Sequence, residues 1–259
     1  MPRESAERVP SSKPVRFQVQ TVDQARSRKI VEALELISMA VNRLFVKRIA
    51  LVSSFGAESS VLLHLVSRID RSVPVIFLDT EMHFPETLEY RETLTKYLGL
   101  QDVRVIRPDP THLDRVDPDG TLCRVSPDLC CRVRKVVPLE KALAPFDAWI
   151  NGRKRSQSEG RSSLRFLEAD RRWVKFNPLA DWLPKDIETY KKHHDLPRHP
   201  LVDAGFGSIG CAPCTKPTHR DEDQRAGRWP GKSKTECGIH FSADGNVARE
   251  RAPQMGERE

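Results

Sequence analysis

Ile49-Ala50-Leu51-Val52-Ser53-Ser54-Phe55-Gly56-Ala57-Glu58-Ser59-Ser60 is the stretch on which the fold turns. Four apolar residues run into a turn of glycine and small hydroxyl residues, and Val61 to Ile69 then follows as a helix. A short continuous apolar run of this kind reads as a strand buried on both faces. Strand, Ser/Gly turn and helix, in that order, form a cradle in which backbone amides at a helix N-terminus hold phosphate. The stretch is not a Walker A loop, because the GxxxxGK[ST] lysine is missing. A small-residue turn is by itself more often only a turn. Its place after the first buried strand marks it, since ligands of open α/β sheets collect at strand C-termini.

Outward from this stretch the unit repeats. Before it, Ile30, Leu34, Ile37, Val41 and Leu44 recur at helical steps, predicting an amphipathic helix from Asp23 to Phe45. After it, Val73 to Leu78 is a second strand that ends in Asp79-Thr80, and Pro85 is placed to open a helix from Glu86 to about Tyr97. Val103 to Ile106 is a third strand. Asp147 to Ile150 is a fourth, and it empties into a loop carrying Arg153, Lys154, Arg155 and Arg161. Cations at the end of a parallel strand are in the right place for an anion, though a solvated basic loop is the plain alternative. Trp173 to Phe176 reads as a further strand and Pro184 to His194 as a surface helix. Residues 108–127 and 197–210 read as loop. The pattern predicts an α/β fold with a doubly wound, mainly parallel sheet, helices on both faces and right-handed crossovers.

The expected layout is a disordered arm over 1–20, an α/β body over 21–210, a C-terminal segment over 211–241 and a disordered tail over 242–259. In 259 residues the net charge is 43 − 36 = +7, which implies an anionic partner. Six unevenly spaced cysteines are not a secreted disulfide framework. No apolar run approaches membrane-spanning length, and Met1-Pro2-Arg3-Glu4-Ser5 opens no signal peptide. The expectation is a cytoplasmic protein with no membrane association.

The chemistry gathers at the cysteines. Cys130 and Cys131 are adjacent, Cys211 and Cys214 form a CxxC eighty positions later, and Cys237 stands apart in Glu236-Cys237-Gly238-Ile239-His240. All-thiolate ligation at irregular spacing suits an iron–sulfur cluster better than zinc. The remaining alternative is buried cysteines without a metal. Asp128 is the expected N-cap of a helix that would place both thiols of the vicinal pair in its first turn. Lys135, four residues after Cys131, shares that helix face and could look toward a cluster on one side and an anionic substrate on the other. Cys123 has no matching partner and is not expected to be a ligand.

With these residues in view, the chain resembles the assimilatory adenylyl-sulfate (APS) reductases, a branch of the PP-loop fold that includes the PAPS reductases. Leu78-Asp79-Thr80, Phe84-Pro85-Glu86-Thr87, Cys130-Cys131-x-x-Arg134-Lys135, Gly152 to Ser158, Cys211-x-x-Cys214, Arg225-Ala226-Gly227-Arg228-Trp229 and Glu236 to His240 carry the resemblance. In the first loop the chain reads Ser-Ser-Phe-Gly-Ala-Glu-Ser where many relatives have Ser-Phe-Ser-Gly-Ala-Glu-Asp, which keeps the donors but shifts the hydroxyls.

The resemblance implies reduction of adenosine 5′-phosphosulfate to sulfite and AMP in sulfate assimilation and cysteine biosynthesis. Thioredoxin or a glutaredoxin-like protein would be the reductant. It implies a [4Fe–4S] cluster on Cys130, Cys131, Cys211 and Cys214, and Cys237 as the nucleophile that becomes an S-sulfocysteine. His240 and the surrounding cations would favour its thiolate. Lys135, Arg155, Arg161, Arg225 and Arg228 would meet the anion. Ser53, Ser54, Gly56, Ala57, Glu58 and Ser59 would hold phosphosulfate or ribose, and Leu78, Asp79 and Thr80 the adenine edge. PAPS is the alternative substrate. A tRNA-thiolating PP-loop enzyme would be expected to keep an SGGxDS loop, which Ser53 to Ser59 is not. A zinc-held nucleic-acid-binding module leaves Cys237 without a purpose and lacks aromatics among its basic stretches, so no nucleic-acid partner is expected. Self-association is left open by the sequence.

Overall fold

Two faces of one sheet organise the molecule, and the alternation of side chains along its strands assigns them. The computed structural model describes residues 15–219 and 222–239. Its strands are β1 (Ile49–Val52), β2 (Val75–Leu78), β3 (Val103–Ile106), β4 (Ala148–Ile150), β5 (Leu167–Asp170) and β6 (Trp173–Phe176). They lie in the order β3-β2-β1-β4-β6-β5, and every pairing is parallel except β5 with β6. Ile49, Leu51, Val75, Phe77, Ala148 and Ile150 point to one face; Ala50, Ile76, Leu78 and Trp149 point to the other. That is the period-two rule of an extended chain, and both faces are apolar because helices cover both.

The helices are α1 (Val15–Met39), α2 (Ser59–Ile69), α3 (Pro85–Leu98), α4 (Pro110–Val116), α5 (Leu122–Val125), α6 (Pro127–Cys131), α7 (Val137–Leu143), α8 (Pro184–His193) and α9 (Pro200–Asp203). On the first face the larger cluster takes Ile37, Leu63, Leu94 and Tyr190 from α1, α2, α3 and α8. On the second, Leu139 and Leu143 of α7 pack on Trp149. Burying each such side chain is worth roughly 1.5–3 kcal/mol. The strand order reverses between β1 and β4, so the loops after these two strands diverge and leave a crevice at the C-terminal edge. Among the described residues no helix is long and apolar enough to cross a membrane.

Several expectations are corrected. The first helix starts at Val15, within the stretch expected as an arm, and runs into a π-turn, Ala40–Leu44; residues 1–14 lie outside the described residues, as does the expected tail. Residues 108–127 are not plain loop: Asp109 accepts from the His112 amide at 3.0 Å and Pro110 opens α4, with α5 following. The N-cap of α6 is Ser126, with Pro127 at the first helical position, rather than Asp128. The helix α8 is no mere surface helix, because Ile187 and Tyr190 are buried in the main core. Within 197–210, Pro200–Asp203 is helical.

Strand β5 was not anticipated. Leu167-Glu168-Ala169-Asp170 has two carboxylates in four residues and so reads as polar. Across the hairpin, Lys175 lies 2.9 Å from Asp170 and both are buried, so charges that exclude a strand from an apolar core are paired inside this one.

Candidate functional site

The crevice is a cavity of about 230 Å³. Its floor is the loop after β1, and this loop is held by its own hydroxyls. Ser53 Oγ accepts from the Phe55 amide at 3.2 Å, and Ser59 Oγ from the Gly56 amide at 2.9 Å. Phe55 is fully buried at φ 48, a left-handed conformation that costs on the order of 1 kcal/mol or more and that packing against Phe77 maintains. A side chain at Gly56 would meet the Ile209 carbonyl at 3.3 Å, a tight contact that glycine avoids where the loop approaches that segment.

Around this floor stand Ser54, Ala57, Glu58, Leu78, Lys135, Arg161, Arg225, Arg228 and Cys237, all named from the sequence. Three other expected residues, Asp79, Thr80 and Arg155, are not in the wall. Asp79 accepts from Arg107 Nε at 3.2 Å and from the Glu81 amide at 3.0 Å. Thr80 is fully buried with its hydroxyl 3.3 Å from Cys211 Sγ, so it faces the cysteines. Arg155 donates to the Leu164 carbonyl at 2.8 Å and lies over Phe166. His240 lies outside the described residues.

The sequence reading missed Lys154, Gln157, Gln224, Trp229 and Glu236 as wall residues. Lys154 pairs with Glu58 at 2.8 Å, and Gln157 and Gln224 donate to the same carboxylate at 3.0 Å each. Burial pushes the Glu58 carboxyl up, but Lys154 and the two amides outweigh it and hold it below its ordinary value. Glu236 takes two bonds from Arg161, at 2.6 and 2.7 Å. The signal that could have found these residues was their position: each sits in, or for Gln224 next to, a stretch already singled out for its cations or its cysteine.

A second, smaller cavity adjoins the first and is lined by Cys130, Cys131, Cys211 and Cys214, with Cys123, Met82, Arg134, Lys135 and Trp229. Lys135 and Trp229 belong to both walls. Local pairing builds it. His83 and Cys211 form an isolated antiparallel bridge, Ala212 N donates to the Met82 carbonyl at 2.7 Å, and Trp229 N to the Cys214 carbonyl at 3.0 Å. Arg134 is buried against Asp117 at 2.8 Å and donates to the Thr80 carbonyl at 2.9 Å, which fixes the π-helical turn Arg132–Val136 beneath the vicinal pair.

The donor set fits a metal centre. Burial and the neighbouring Cys131 and Cys211 push the Cys130 thiol up to about 12, and burial pushes Cys131 to about 11. Cys211 is also raised by burial, but the ammonium of Lys135 and the Thr80 hydroxyl bring it below its ordinary value. Lys135 is correspondingly raised: burial works against its charge, and the Cys211, Cys237 and Cys131 sulfurs outweigh burial. Thiols brought this close in a dry space repel as bare thiolates, and metal ions relieve that repulsion. Among the described residues no three His, Cys, Asp or Glu groups converge on a single ion, so the thiols line a space rather than meet at a point.

Known proteins resemble this chain in sequence and in fold. The family model described as "Phosphoadenosine phosphosulfate reductase domain" matches residues 48–217. A Mesorhizobium japonicum protein named adenosine 5′-phosphosulfate reductase is 50% identical over 212 residues, 82% of this chain and 84% of its own length. A Chelativorans protein of the same name is 47% identical over 224 residues, covering 82% and 91%. Among solved structures, the phosphoadenylyl-sulfate reductase of Candida auris superposes with a TM-score of 0.61 at 23% identity, over 80% of this chain and all of that one, a likeness of fold.

Proposed function

The chain belongs to the phosphoadenosine phosphosulfate reductase domain family, and from that premise we propose that it reduces adenosine 5′-phosphosulfate to sulfite and AMP. The observation that carries this reading is a shared wall: half-buried Cys237 lines the cavity whose floor is the Ser53–Ser59 loop and whose sides hold Arg228 and Lys135. The substrate bears two negative charges at its reacting end, and a thiolate approaches it only where cations offset them.

In the proposed reaction the Cys237 thiolate attacks sulfur, the S–O bond to phosphate breaks, and AMP leaves with that electron pair. Cys237 then carries an S-sulfo group. A dithiol reductant of the thioredoxin type attacks the Cys237 sulfur and sulfite departs. The reductant's second thiol resolves the mixed disulfide, so two electrons come from the dithiol and Cys237 is regenerated. Arg228 and Lys135 hold the anion, the floor amides and hydroxyls hold phosphate or ribose, and Trp229 and Ile239 keep water from the cavity side.

Cys130, Cys131, Cys211 and Cys214 would hold a [4Fe–4S] cluster, with Arg134 and Lys135 offsetting its charge. Bound there, it supplies charge and architecture, since the cysteine and dithiol chemistry accounts for both electrons. None of the six cysteines, all within the described residues, is in a disulfide, which suits a reducing cytoplasm. Incubation with adenosine 5′-phosphosulfate and reduced thioredoxin should yield sulfite and AMP in equal amounts. No sulfite from that mixture overturns the reading.

A further inference from the structure

Five of the six cysteines line the smaller cavity, one more than a cluster held by four thiolates uses. The fifth is Cys123, carried by α5, which the sequence alone gave no reason to count as a ligand. It is 4% exposed, and its thiol makes only a weak contact with the Gly120 carbonyl at 3.8 Å. Its side chain packs with Leu122 and Cys130 against Met82 and Cys214. Cys123 therefore adjoins one sulfur from each cysteine pair.

Two attachments hold it there. Asp117 accepts from the Leu122 amide at 2.8 Å on one oxygen and from Arg134 at 2.8 Å on the other, which ties α5 to the turn Arg132–Val136 that follows the vicinal pair. From the other side, Trp229 N donates to the Cys214 carbonyl and Lys232 N to the Trp229 carbonyl, each at 3.0 Å. Lys232 Nζ then donates to the Cys123 and Arg124 carbonyls at 3.4 and 2.7 Å. One short stretch, Trp229 to Lys232, thus fastens the backbones of Cys214 and Cys123 beside each other.

A buried cysteine often does no more than fill space. Here the placement asks more of it. Cys214 is half-buried, whereas Cys123, Cys130, Cys131 and Cys211 are buried, so Cys214 is the ligand that solvent reaches and that a proton displaces most readily. Cys123 stands against it on the dry side.

We propose that Cys123 is a stand-by ligand of the cluster: when the Cys214 sulfur leaves its iron, the Cys123 sulfur takes the place. The exchange balances, because the Cys123 thiol gives up its proton as it binds iron and the departing Cys214 thiolate takes one up. No electron moves, and the number of thiolates on the cluster is unchanged. The inference rests on the cluster proposed above and adds a fifth sulfur to its surroundings.

The test compares variants purified without oxygen. Cys214→Ala should keep at least about half of the wild-type iron and the absorption of a [4Fe–4S] centre, whereas Cys214→Ala combined with Cys123→Ala should fall below about a tenth. Cys131→Ala, at a position outside the contact group of Cys123, should lose its iron with or without that thiol. In otherwise wild-type protein, Cys123→Ala should leave the iron content unchanged, while a ferrous-iron chelator should strip the metal several-fold faster.

Equal iron in Cys214→Ala with and without Cys123 overturns the inference, since a cysteine that only fills space gives that result. If Cys214→Ala does not fold, the chelator comparison decides, and equal rates of iron loss from wild type and Cys123→Ala overturn it. Wild-type protein without iron defeats the cluster and this inference together; iron in the wild type with variants indifferent to Cys123 defeats the inference alone.

Discussion

Lys154 places its ammonium 2.8 Å from the Glu58 carboxylate, with side-chain exposures of 2% and 14%, and so ties the loop after β4 to the loop after β1. Glu58 is therefore occupied from within the protein by Lys154, Gln157 and Gln224. This pair braces the two sides of the crevice against each other.

Lys154→Met should cost roughly 3–5 kcal/mol at neutral pH, because it leaves a buried carboxylate without its cation. In the wild type the Glu58 carboxyl is held below its ordinary value, so its contribution is present above the unfolded carboxylate range and is lost as pH falls through the lower folded value. In the variant, burial, the largest influence on Glu58, acts without its cation and raises the carboxyl. The deficit should then be full at pH 7 and shrink as the medium is acidified toward the carboxylate range, since protonation removes the stranded charge. Urea unfolding of both proteins at neutral and mildly acidic pH measures this; a deficit equal at both, or none, contradicts it.

Protein purified without oxygen should be brown and carry about four irons per chain, as a cluster on four thiolates requires. Cys211→Ser should lower the iron content sharply, because Cys211 comes from the segment that closes the second cavity against Thr80. Stoichiometric zinc without iron would refute the cluster.

Adenosine 5′-phosphosulfate should be reduced much faster than its 3′-phosphorylated counterpart. The carboxylates near the wall already hold several of its cations: Glu58 holds Lys154, Glu168 holds Arg153, and Glu236 stands against Arg161 and Arg225, while in the proposed reaction Arg228 and Lys135 would meet the reacting end. An added 3′-phosphate needs a further cationic pocket. Similar kcat/KM for the two nucleotides would reverse the assignment.

Cys237→Ser should abolish sulfite formation while keeping iron and AMP binding, because a hydroxyl is far less ionised than a thiol near neutral pH and no cluster thiol is touched. Wild-type protein given substrate without reductant should gain about 80 Da on the Cys237 peptide, the mass of one sulfite group in a covalent intermediate. An adduct elsewhere in the chain would move the nucleophile.

What the sequence determined by itself was local. A strand buried on both faces must be apolar along its length, so β1, β2 and β4 were legible from short apolar runs, and Pro85 marked the start of α3 because its missing amide is no loss there. The crevice followed from the repetition of strand and helix. The two cysteine pairs were legible because their spacing has no use in an ordinary core, and the second cavity does gather them.

The tertiary structure decided what depends on a partner far along the chain. Strand β5 exists because Lys175 neutralises Asp170 across a hairpin, a pairing that composition conceals. Thr80 faces Cys211, 131 residues later, and Arg155 turns to Leu164 and Phe166, so neither belongs to the first cavity although both lie in motifs that point there. Glu58 and Glu236 are charged residues whose meaning is set by Lys154 at a separation of 96 positions and by Arg161 at 75. A side chain's charge is written in the sequence, but whether it binds a ligand or a neighbour depends on which opposite charge shares its dry space, and only the folded chain brings the two together.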